Sequence, residues 1–198
     1  MVPVLFCTFG TFSTGSILYF SFFILYDNIF SEGKEVKMKI LIIGTIAIGK
    51  TTLAKKLEEK LNIKYYEIDC IVHDDENKVR RTPEEQKEII EEIDKQKDWI
   101  VEGVLRENLN YLLDMCDKII YLNMPLYTRK IRIFKRFIKQ KLGIEKCNYK
   151  PTLKMLIQMY KWTEKQEKEL KEREEQLAKH INKLTKISNT KEWEEYIK

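Results

Sequence analysis

The feature that most constrains this chain is the segment at residues 44–51, Gly-Thr-Ile-Ala-Ile-Gly-Lys-Thr. It fits the pattern G-x-x-x-x-G-K-[ST] and follows a run at residues 39–43 that is apolar at every position after Lys39. The next stretch, 50–61, carries leucines at every fourth position. The apolar run predicts a strand buried on both faces, and the leucine spacing predicts an amphipathic helix. Strand, glycine-bounded loop and helix in this order are typical of a phosphate-binding loop, the P-loop.

Each part of this loop predicts a role in binding a nucleotide. The two glycines allow a close approach of the backbone, so that successive N–H groups can turn toward phosphates at the positive end of the following helix. Lys50 is predicted to reach the β- and γ-phosphates, and the Thr51 hydroxyl to ligate Mg²⁺. ATP and Mg²⁺ are therefore the expected cofactors. The residues predicted to surround the nucleotide are Gly44, Thr45, Ile46, Ala47, Ile48, Gly49, Lys50, Thr51 and Thr52.

Beyond residue 38 the chain alternates short β-rich runs with amphipathic helical runs, a pattern typical of an α/β protein with a parallel sheet. The sequence thus predicts a three-layer α/β fold with five strands. Thr82 and Pro83 predict the start of a further helix, because they supply an N-cap and a proline at the first helical position. The predicted strands are 39–43, 64–68, 99–102, 118–122 and 184–188. The predicted helices are 50–61, one from 83, 125–142, 152–183 and a short terminal helix that holds Trp193 and Ile197.

The N-terminal segment belongs to a different compositional class from the rest of the chain. Of 198 residues 43% are hydrophobic and 34% charged, which fits one globular domain and excludes a disordered polymer or a polytopic membrane protein. Residues 1–26, however, carry no charge. We expect residues 1–37 to be a hydrophobic leader and 38–198 to be the domain. The leader is either a start-site artefact or a membrane anchor through residues 2–26.

The cysteines and the distribution of charge predict where the protein is located and what it binds. The four cysteines form no C-x-x-C pair, which predicts reduced thiols and a cytoplasmic location for the domain. The formal net charge is +5, yet residues 129–150 alone hold nine Lys or Arg against Glu145. Such a block usually faces a phosphate or a polyanion. A nucleotide with a small-molecule acceptor is the favoured partner, and a nucleic acid is the alternative.

Three arginines within this basic block are spaced three and four residues apart. On a helix Arg129, Arg132 and Arg136 form one stripe, which could neutralise charge on a phosphoryl group during its transfer. We predict catalytic roles for Arg132 and Arg136 and contact with the acceptor for Arg129. The alternative is a solvated basic face. The opposite, buried side of this helix is predicted to hold Ile131, Phe134 and Ile138.

Other candidates follow the second predicted strand. Asp69 is expected at the carboxyl edge of the sheet, where it could accept the proton of a hydroxyl acceptor, orient a phosphate acceptor, or only cap a helix. Arg80 and Arg81 precede the helix that Thr82 opens. They could bind an anionic acceptor, or they could be an exposed pair of loop residues.

With these elements placed, the chain from Met38 onward resembles the adenylate-kinase-like P-loop kinases, most closely the bacterial topology modulation proteins. The resemblance rests on the P-loop, on Trp-Ile-Val-Glu-Gly-Val-Leu-Arg at 99–106 and on Leu-Asn-Met-Pro at 122–125, which precedes the arginine stripe. It implies a strand order of 2-3-1-4-5 and a helical lid around residues 129–160. It also implies that Glu102 is the outer acidic group of the magnesium site and that Arg106 binds the acceptor.

The resemblance implies an ATP-dependent phosphotransferase that acts on a nucleoside monophosphate or on a small-molecule hydroxyl. Two departures bear on this expectation. Ala47 stands where the family usually has Gly, and Ile48 where it has a small residue. The segment between the second and third strands is similar to the Asp-containing acceptor loop of small-molecule kinases and lacks the usual nucleotide-acceptor sequence. The alternative function is a nucleotide-dependent, topology-modulating DNA-binding protein without kinase turnover.

Overall fold

The structure is a computed structural model that describes residues 37–74, 79–145 and 150–189. Its strands along the chain are β1 (Lys39–Gly44), β2 (Tyr65–Glu67), β3 (His73–Asp74), β4 (Val79–Arg80), β5 (Trp99–Gly103), β6 (Lys118–Leu122) and β7 (Leu184–Ile187). Five of them form one parallel sheet in the order β2-β5-β1-β6-β7. Counted among these five alone, that order is the predicted 2-3-1-4-5. The unpredicted β3 and β4 form a separate antiparallel ribbon.

Helices cover both faces of the sheet. They are α1 (Lys50–Leu61), α2 (Ile68–Val72), α3 (Pro83–Asp94), α4 (Leu112–Met115), α5 (Leu126–Lys141), α6 (Leu153–Lys168) and α7 (Leu170–Ala178). Short 3₁₀ turns occur at Glu107–Leu109 and Ile181–Lys183. The predicted three-layer α/β architecture is confirmed.

Strand β1 lies in the centre of the sheet because its apolar side chains fill both faces. Ile40 and Ile42 pack with Leu53 of α1 on one face. Leu41 and Ile43 pack on the other face, where α2, α3, α4 and α7 contribute side chains. The alternation of two buried faces requires an apolar residue at every position, which is why the strand shows no polar gap. The carboxyl ends of β5, β1 and β6 consequently lie side by side at one edge.

The start of α3 is as predicted. The Thr82 hydroxyl accepts from the Glu85 backbone N–H at 3.3 Å, and the Glu85 carboxylate accepts from the Thr82 N–H at 2.7 Å. Pro83 occupies the first turn. This reciprocal capping box satisfies two N–H groups that a helix start otherwise leaves unpaired.

The predicted buried face of α5 is wrong. The buried residues are Arg129, Ile133, Phe137 and Gln140, whereas Phe134 is 50% and Ile138 is 39% exposed. The apolar residues of this helix fit two adjacent stripes, and periodicity alone cannot choose between them. The choice is made by packing, since Ile133 and Phe137 form a small core with Leu156 of α6 and partly buried residues of the P-loop.

The helix predicted over 152–183 is also corrected. It ends at Lys168 and resumes at Leu170 as α7, whose Leu177 enters the core of the sheet. The Glu- and Lys-rich second half of the predicted helix, whose composition is typical of a solvated surface, therefore also contributes to the core. The leader up to residue 36 and the terminal helix with Trp193 and Ile197 lie outside the described residues, which all belong to one unit, Lys37–Lys198. Within the described ranges no helix has both the length and the apolar character to cross a membrane.

Candidate active site

The P-loop leaves the central strand at the carboxyl edge of the sheet. A Cβ atom at Gly44 would lie 2.5 Å from the Leu122 carbonyl oxygen at the end of β6, so only glycine fits between the two strand ends. Gly49 has φ 105° and Ala47 φ 57°, both in the left-handed region. These angles turn the loop back on itself and start α1 directly above it. Ala47 adopts a conformation that glycine would adopt without strain.

The first turn of α1 has neither a side-chain cap nor an acidic residue. Helix α3, in the same domain, has both. The first N–H groups of any helix need partners, and an anion supplies them when the side chains do not. Helix α5 also has neither, so the phosphate site at α1 is predicted by the P-loop motif that precedes the helix together with its uncapped first turn.

Lys50 places its ammonium group over the loop. Its Nζ donates to the Thr45 carbonyl oxygen at 2.9 Å. Burial lowers the pKa of Lys50, while the charges of Glu102 and Asp69 act in the opposite direction and that of Arg136 adds to the lowering. The charges of two predicted catalytic residues, Asp69 and Arg136, thus influence the pKa of Lys50.

The residues that the sequence assigns to Mg²⁺ meet directly. The Thr51 hydroxyl donates to Glu102 Oε1 at 2.5 Å, and Glu102 is only 3% exposed. Burial raises the pKa of Glu102, whereas Lys50 and the hydrogen bond from Thr51 lower it. Because the hydroxyl hydrogen points at Glu102, the oxygen lone pairs of Thr51 remain available to a hard cation.

The fit to Mg²⁺ is therefore good. Magnesium usually takes one or two protein ligands and completes its shell with water and phosphate oxygens. The described ranges contain no group of three or more His, Cys, Asp or Glu that could hold a metal by themselves. Thr51 could ligate the ion, with Glu102 behind it fixing the hydroxyl.

The three arginines of the predicted stripe have separate surroundings. Arg132 donates to the Ile48 carbonyl oxygen at 2.8 Å, and its Nη1 lies 3.7 Å from the Cβ position of Gly49. Arg136 is half-exposed, and its Nε lies 2.8 Å from Glu145 Oε1. Arg132 thus contacts the P-loop backbone directly, whereas Arg136 pairs with Glu145, and the predicted catalytic roles of both stay predictions.

The predicted contact of Arg129 with the acceptor is wrong. Arg129 is fully buried, donates to the Thr45 hydroxyl at 3.2 Å and pairs with Glu167 of α6. Its Nε has no partner among the described residues. The side chain ties α5, the P-loop and α6 together, so it does not reach outward to an acceptor. Its position on the buried stripe of α5 is the physical reason.

Residues of α6 complete the loop, and sequence reasoning missed them. Gln166 Oε1 accepts from the Ile46 N–H at 3.2 Å, next to the pair that Glu167 forms with Arg129. The contact between Gln166 and Ile46 joins residues 120 positions apart, and the segment around Gln166 looks solvated by composition. A signal was present in the helical spacing, because both residues continue the stripe of partly or fully buried positions Leu156, Met159, Tyr160 and Thr163.

At the predicted acceptor end of the site, Asp69 and Arg106 form an ion pair. Arg106 Nη2 lies 2.9 Å from Asp69 Oδ1, and the Asp69 side chain is 70% exposed. Close packing brings them together: a Cβ atom at Gly103 would lie 2.6 Å from the Ile68 Cβ, so α2 rests directly on the end of β5. Both were predicted to serve the acceptor, from separate parts of the sequence.

Arg80 and Arg81, at the ribbon of β3 and β4, have different surroundings. Arg81 Nη1 donates to the carbonyl oxygens of Cys70, Ile71 and His73 at 2.7, 3.2 and 2.9 Å. It therefore caps the end of α2, which is a different role from the predicted binding of an acceptor. Arg80 is exposed on β4 and its predicted role stays a prediction.

A cavity of about 120 Å³ lies beside the first P-loop residues. The Tyr121 hydroxyl in its wall has no partner among the described residues, and burial raises the pKa of Tyr121 to about 12. Across it, Arg173 donates to the Leu105 carbonyl oxygen at 3.1 Å. Neither side chain was predicted. The remaining lining residues are Ile43, Gly44, Thr45, Val104, Gln166, Glu169 and Leu170.

A P-loop at the carboxyl edge of a five-stranded parallel sheet, with an uncapped helix behind it, defines the class of this protein as a P-loop nucleotide-binding protein. A family model described as an AAA domain matches residues 40–149. The match covers more than half of the chain, and the chain belongs to this family. No curated protein matches the chain at a significant level.

Solved structures provide weaker likenesses. Shikimate kinase from Acinetobacter baumannii has a TM-score of 0.41 at 16% identity, over 52% of this chain and 65% of that one. A gluconokinase from Sinorhizobium meliloti 1021 has a TM-score of 0.47 at 13% identity, over 81% and 87%. Shikimate kinase from Aquifex aeolicus has a TM-score of 0.42 at 17% identity, over 81% and 91%. We infer nothing about the activity of this chain from likenesses at this level.

Proposed function

We propose that the protein is an ATP-dependent phosphotransferase that transfers the γ-phosphoryl group of ATP to a hydroxyl of a small molecule. The observation that carries the proposal is the pairing of Asp69 with Arg106 at the sheet edge that also holds Lys50 and Glu102. A carboxylate and a guanidinium next to a phosphate loop supply a proton acceptor and an orienting donor.

The transfer step assigns each group a task. The acceptor oxygen forms a bond to the γ-phosphorus, the bond between that phosphorus and the β–γ bridging oxygen breaks, and the acceptor proton passes to Asp69. Lys50 and Arg132, which both contact P-loop carbonyl oxygens, lie where they can stabilise the charge on the phosphoryl oxygens. Bound at Thr51, Mg²⁺ would supply further neutralisation of the β- and γ-phosphates.

The charge at the acceptor end favours a hydroxyl over a phosphate as the acceptor group. Arg106 is already paired with a carboxylate, and Arg81 is bonded to the carbonyl oxygens at the end of α2. A nucleoside monophosphate would bring at least one further negative charge beside Asp69. We therefore propose a small hydroxylated molecule as the substrate class. Membership of the adenylate-kinase-like or topology modulation groups remains a prediction.

The experiment is an ADP-release assay with Mg²⁺ and ATP against a panel of small hydroxylated molecules and nucleoside monophosphates. We expect one or more hydroxylated molecules to stimulate ADP release by at least about 10²-fold over ATP alone, the range attributed to a positioned base. Stimulation by a monophosphate alone would contradict the hydroxyl acceptor. The absence of stimulation by either class would contradict the phosphotransferase.

Matched lysine variants on α1 test whether the turnover belongs to this site. Lys50→Met removes the ammonium group above the loop and should reduce turnover by about 10³-fold, the upper range for one electrostatic contact in an active site. Lys55→Met changes an exposed lysine on the same helix and should leave turnover unchanged. Equal activity of the two variants would show that the ADP comes from elsewhere.

A further inference from the structure

Exposed apolar side chains are concentrated in one part of the molecule. Ten large hydrophobic residues are exposed among the residues that the structure describes, and eight of them lie between residues 127 and 162. We call residues 126–145 and 150–168, which contain α5 and α6, the lid hairpin. Scattered exposed apolar residues are ordinary, but such concentration usually marks an interaction surface. The eight are Tyr127, Phe134, Ile138, Leu142, Ile144, Leu153, Ile157 and Trp162.

On α5 the exposed apolar residues share one face, and on α6 Leu153 and Ile157 do, whereas Trp162 lies on the opposite side of α6. Tyr127, Phe134 and Ile138 are seven and four residues apart on α5, so they form a stripe that does not coincide with the buried stripe through Arg129 and Ile133. Leu153 and Ile157 are four residues apart on α6 and are 64% and 55% exposed. Contacts with the P-loop use other sides of both helices, so among the described residues these exposed stripes take no part in the candidate active site.

Lysines flank these stripes. The lid hairpin holds twelve Lys or Arg and three Glu, a net charge of +9. Its three carboxylates are all paired within the hairpin, with Arg136, Lys130 and Arg129. By helical spacing Lys135 and Lys139 lie on one side of the α5 stripe and Lys141 on the other, and all three are exposed.

We propose that this face of the lid hairpin docks on a membrane surface that contains anionic lipids. Helices that lie in the interfacial plane combine an apolar stripe with flanking lysines, which is the pattern here. The apolar side chains would enter the region between headgroups and acyl chains, and the lysines would contact anionic headgroups. The charge of the hairpin and the charge of the lipid are complementary.

Two other occupants fit less well. A second copy of the chain would bring one lid hairpin of net charge +9 against another. A nucleic acid would use the basic residues, but it has no apolar surface for Ile138, Leu142, Leu153 and Ile157. A lipid surface uses both parts of the pattern.

The test is co-sedimentation of the full chain with vesicles of phosphatidylcholine, with and without phosphatidylglycerol. We expect binding only when phosphatidylglycerol is present. The double variant Lys135→Glu with Lys139→Glu should weaken it at least about 10-fold, because each lysine near an anionic surface contributes to binding. The variant Phe134→Asp with Ile138→Asp should weaken it as much. The matched control changes two exposed lysines of the α7 region, Lys171→Glu with Lys179→Glu, and should retain binding.

Each contrary outcome overturns the proposal. Equal binding to the two vesicle types, or equal loss in the α7 control, would show that the apolar leader or net charge is responsible. A concentration-dependent dimer that Phe134→Asp abolishes would assign the face to a second copy. Binding to duplex DNA that excludes vesicles would assign it to nucleic acid. Thermal melts of all variants verify that each one folds.

Discussion

The two ends of the candidate active site differ in how they hold charge. At the nucleotide end Glu102 and Arg129 are buried and Lys50 is partly buried, and burial raises the pKa of Glu102 and lowers the pKa of Lys50 and Arg129. At the acceptor end the Asp69–Arg106 pair is open to solvent on the Asp69 side. The nucleotide end is thus preformed at a cost in stability, whereas the acceptor end can rearrange around a ligand at little cost.

The largest effect is expected for a substitution of Glu102, which tests whether the buried charge of the nucleotide end is held at a cost in stability. Glu102→Gln keeps an acceptor for the Thr51 hydroxyl but removes the buried charge, so turnover should fall by about 10²- to 10³-fold, the usual loss for one preorganised electrostatic contact. The free energy of unfolding at neutral pH should rise. Its raised folded pKa means that Glu102 stabilises the fold below an ordinary pKa of about 4.3 and loses this contribution as pH rises through the folded value.

Urea denaturation at several pH values measures how the free energy of unfolding of the two proteins depends on pH. The stability difference between Glu102→Gln and the wild type should grow in favour of the variant as pH rises above about 4.3. Glu59→Gln, an exposed carboxylate on α1, is the control and should show no such trend. If Glu102→Gln is less stable than the wild type at neutral pH, the buried charge of Glu102 does not lower the stability of the fold.

The second prediction distinguishes a role in stability for Arg129 from a role in turnover for Arg132. Arg129→Met should lower the free energy of unfolding by about 2 kcal/mol, because it removes the hydrogen bond of the buried guanidinium to the Thr45 hydroxyl and its contact with Glu167, whose side chain is 38% exposed. Arg132→Met, on the same helix, should change stability by less than about 1 kcal/mol but should lower turnover strongly, because it contacts the P-loop from a partly exposed position. Denaturation and turnover measured on both variants test this, and similar profiles would contradict distinct roles.

The third prediction concerns the backbone of the P-loop. Ala47→Gly should raise the free energy of unfolding by up to about 1 kcal/mol, because it removes a left-handed strain of 1–2 kcal/mol against the higher chain entropy of glycine. Ala54→Gly, in the middle of α1, is the opposite control and should destabilise by about 1 kcal/mol. If both glycines destabilise equally, the left-handed conformation at Ala47 is wrong.

The smallest effect is expected at the acceptor end. Asp69→Asn should change the free energy of unfolding by less than about 0.5 kcal/mol, since exposed ion pairs contribute little. Chemical denaturation in low salt measures it. A loss comparable to that of Arg129→Met would remove the difference between the two ends of the site.

The sequence predicts the elements that depend on contiguous residues. The P-loop, the capping box at Thr82 and the five strands each rest on a local pattern, and the structure confirms them. The strand order is not local and came only from the family resemblance. Asp69 and Arg106 were assigned singly, and their contact depends on the packing of α2 against Gly103.

Side chains whose role depends on tertiary packing were missed or misplaced. Arg129 looked solvent-facing because the apolar residues of α5 allow two stripes, and only α6 decides between them. Gln166, Tyr121 and Arg173 meet the P-loop or its neighbouring cavity through contacts between distant segments. No local spacing encodes such contacts, so single-sequence periodicity cannot place them.

The most direct test of the proposed phosphotransferase follows the γ-phosphoryl group of labelled ATP in the presence of the hydroxylated acceptor that stimulates ADP release. The wild type and the control Asp98→Asn, at the opposite edge of the sheet, should deliver the label to the acceptor. Asp69→Asn should bind ATP with unchanged affinity and transfer at least about 10²-fold more slowly, as expected for loss of a positioned base. Label recovered only as inorganic phosphate, or undiminished transfer by Asp69→Asn, would contradict the account.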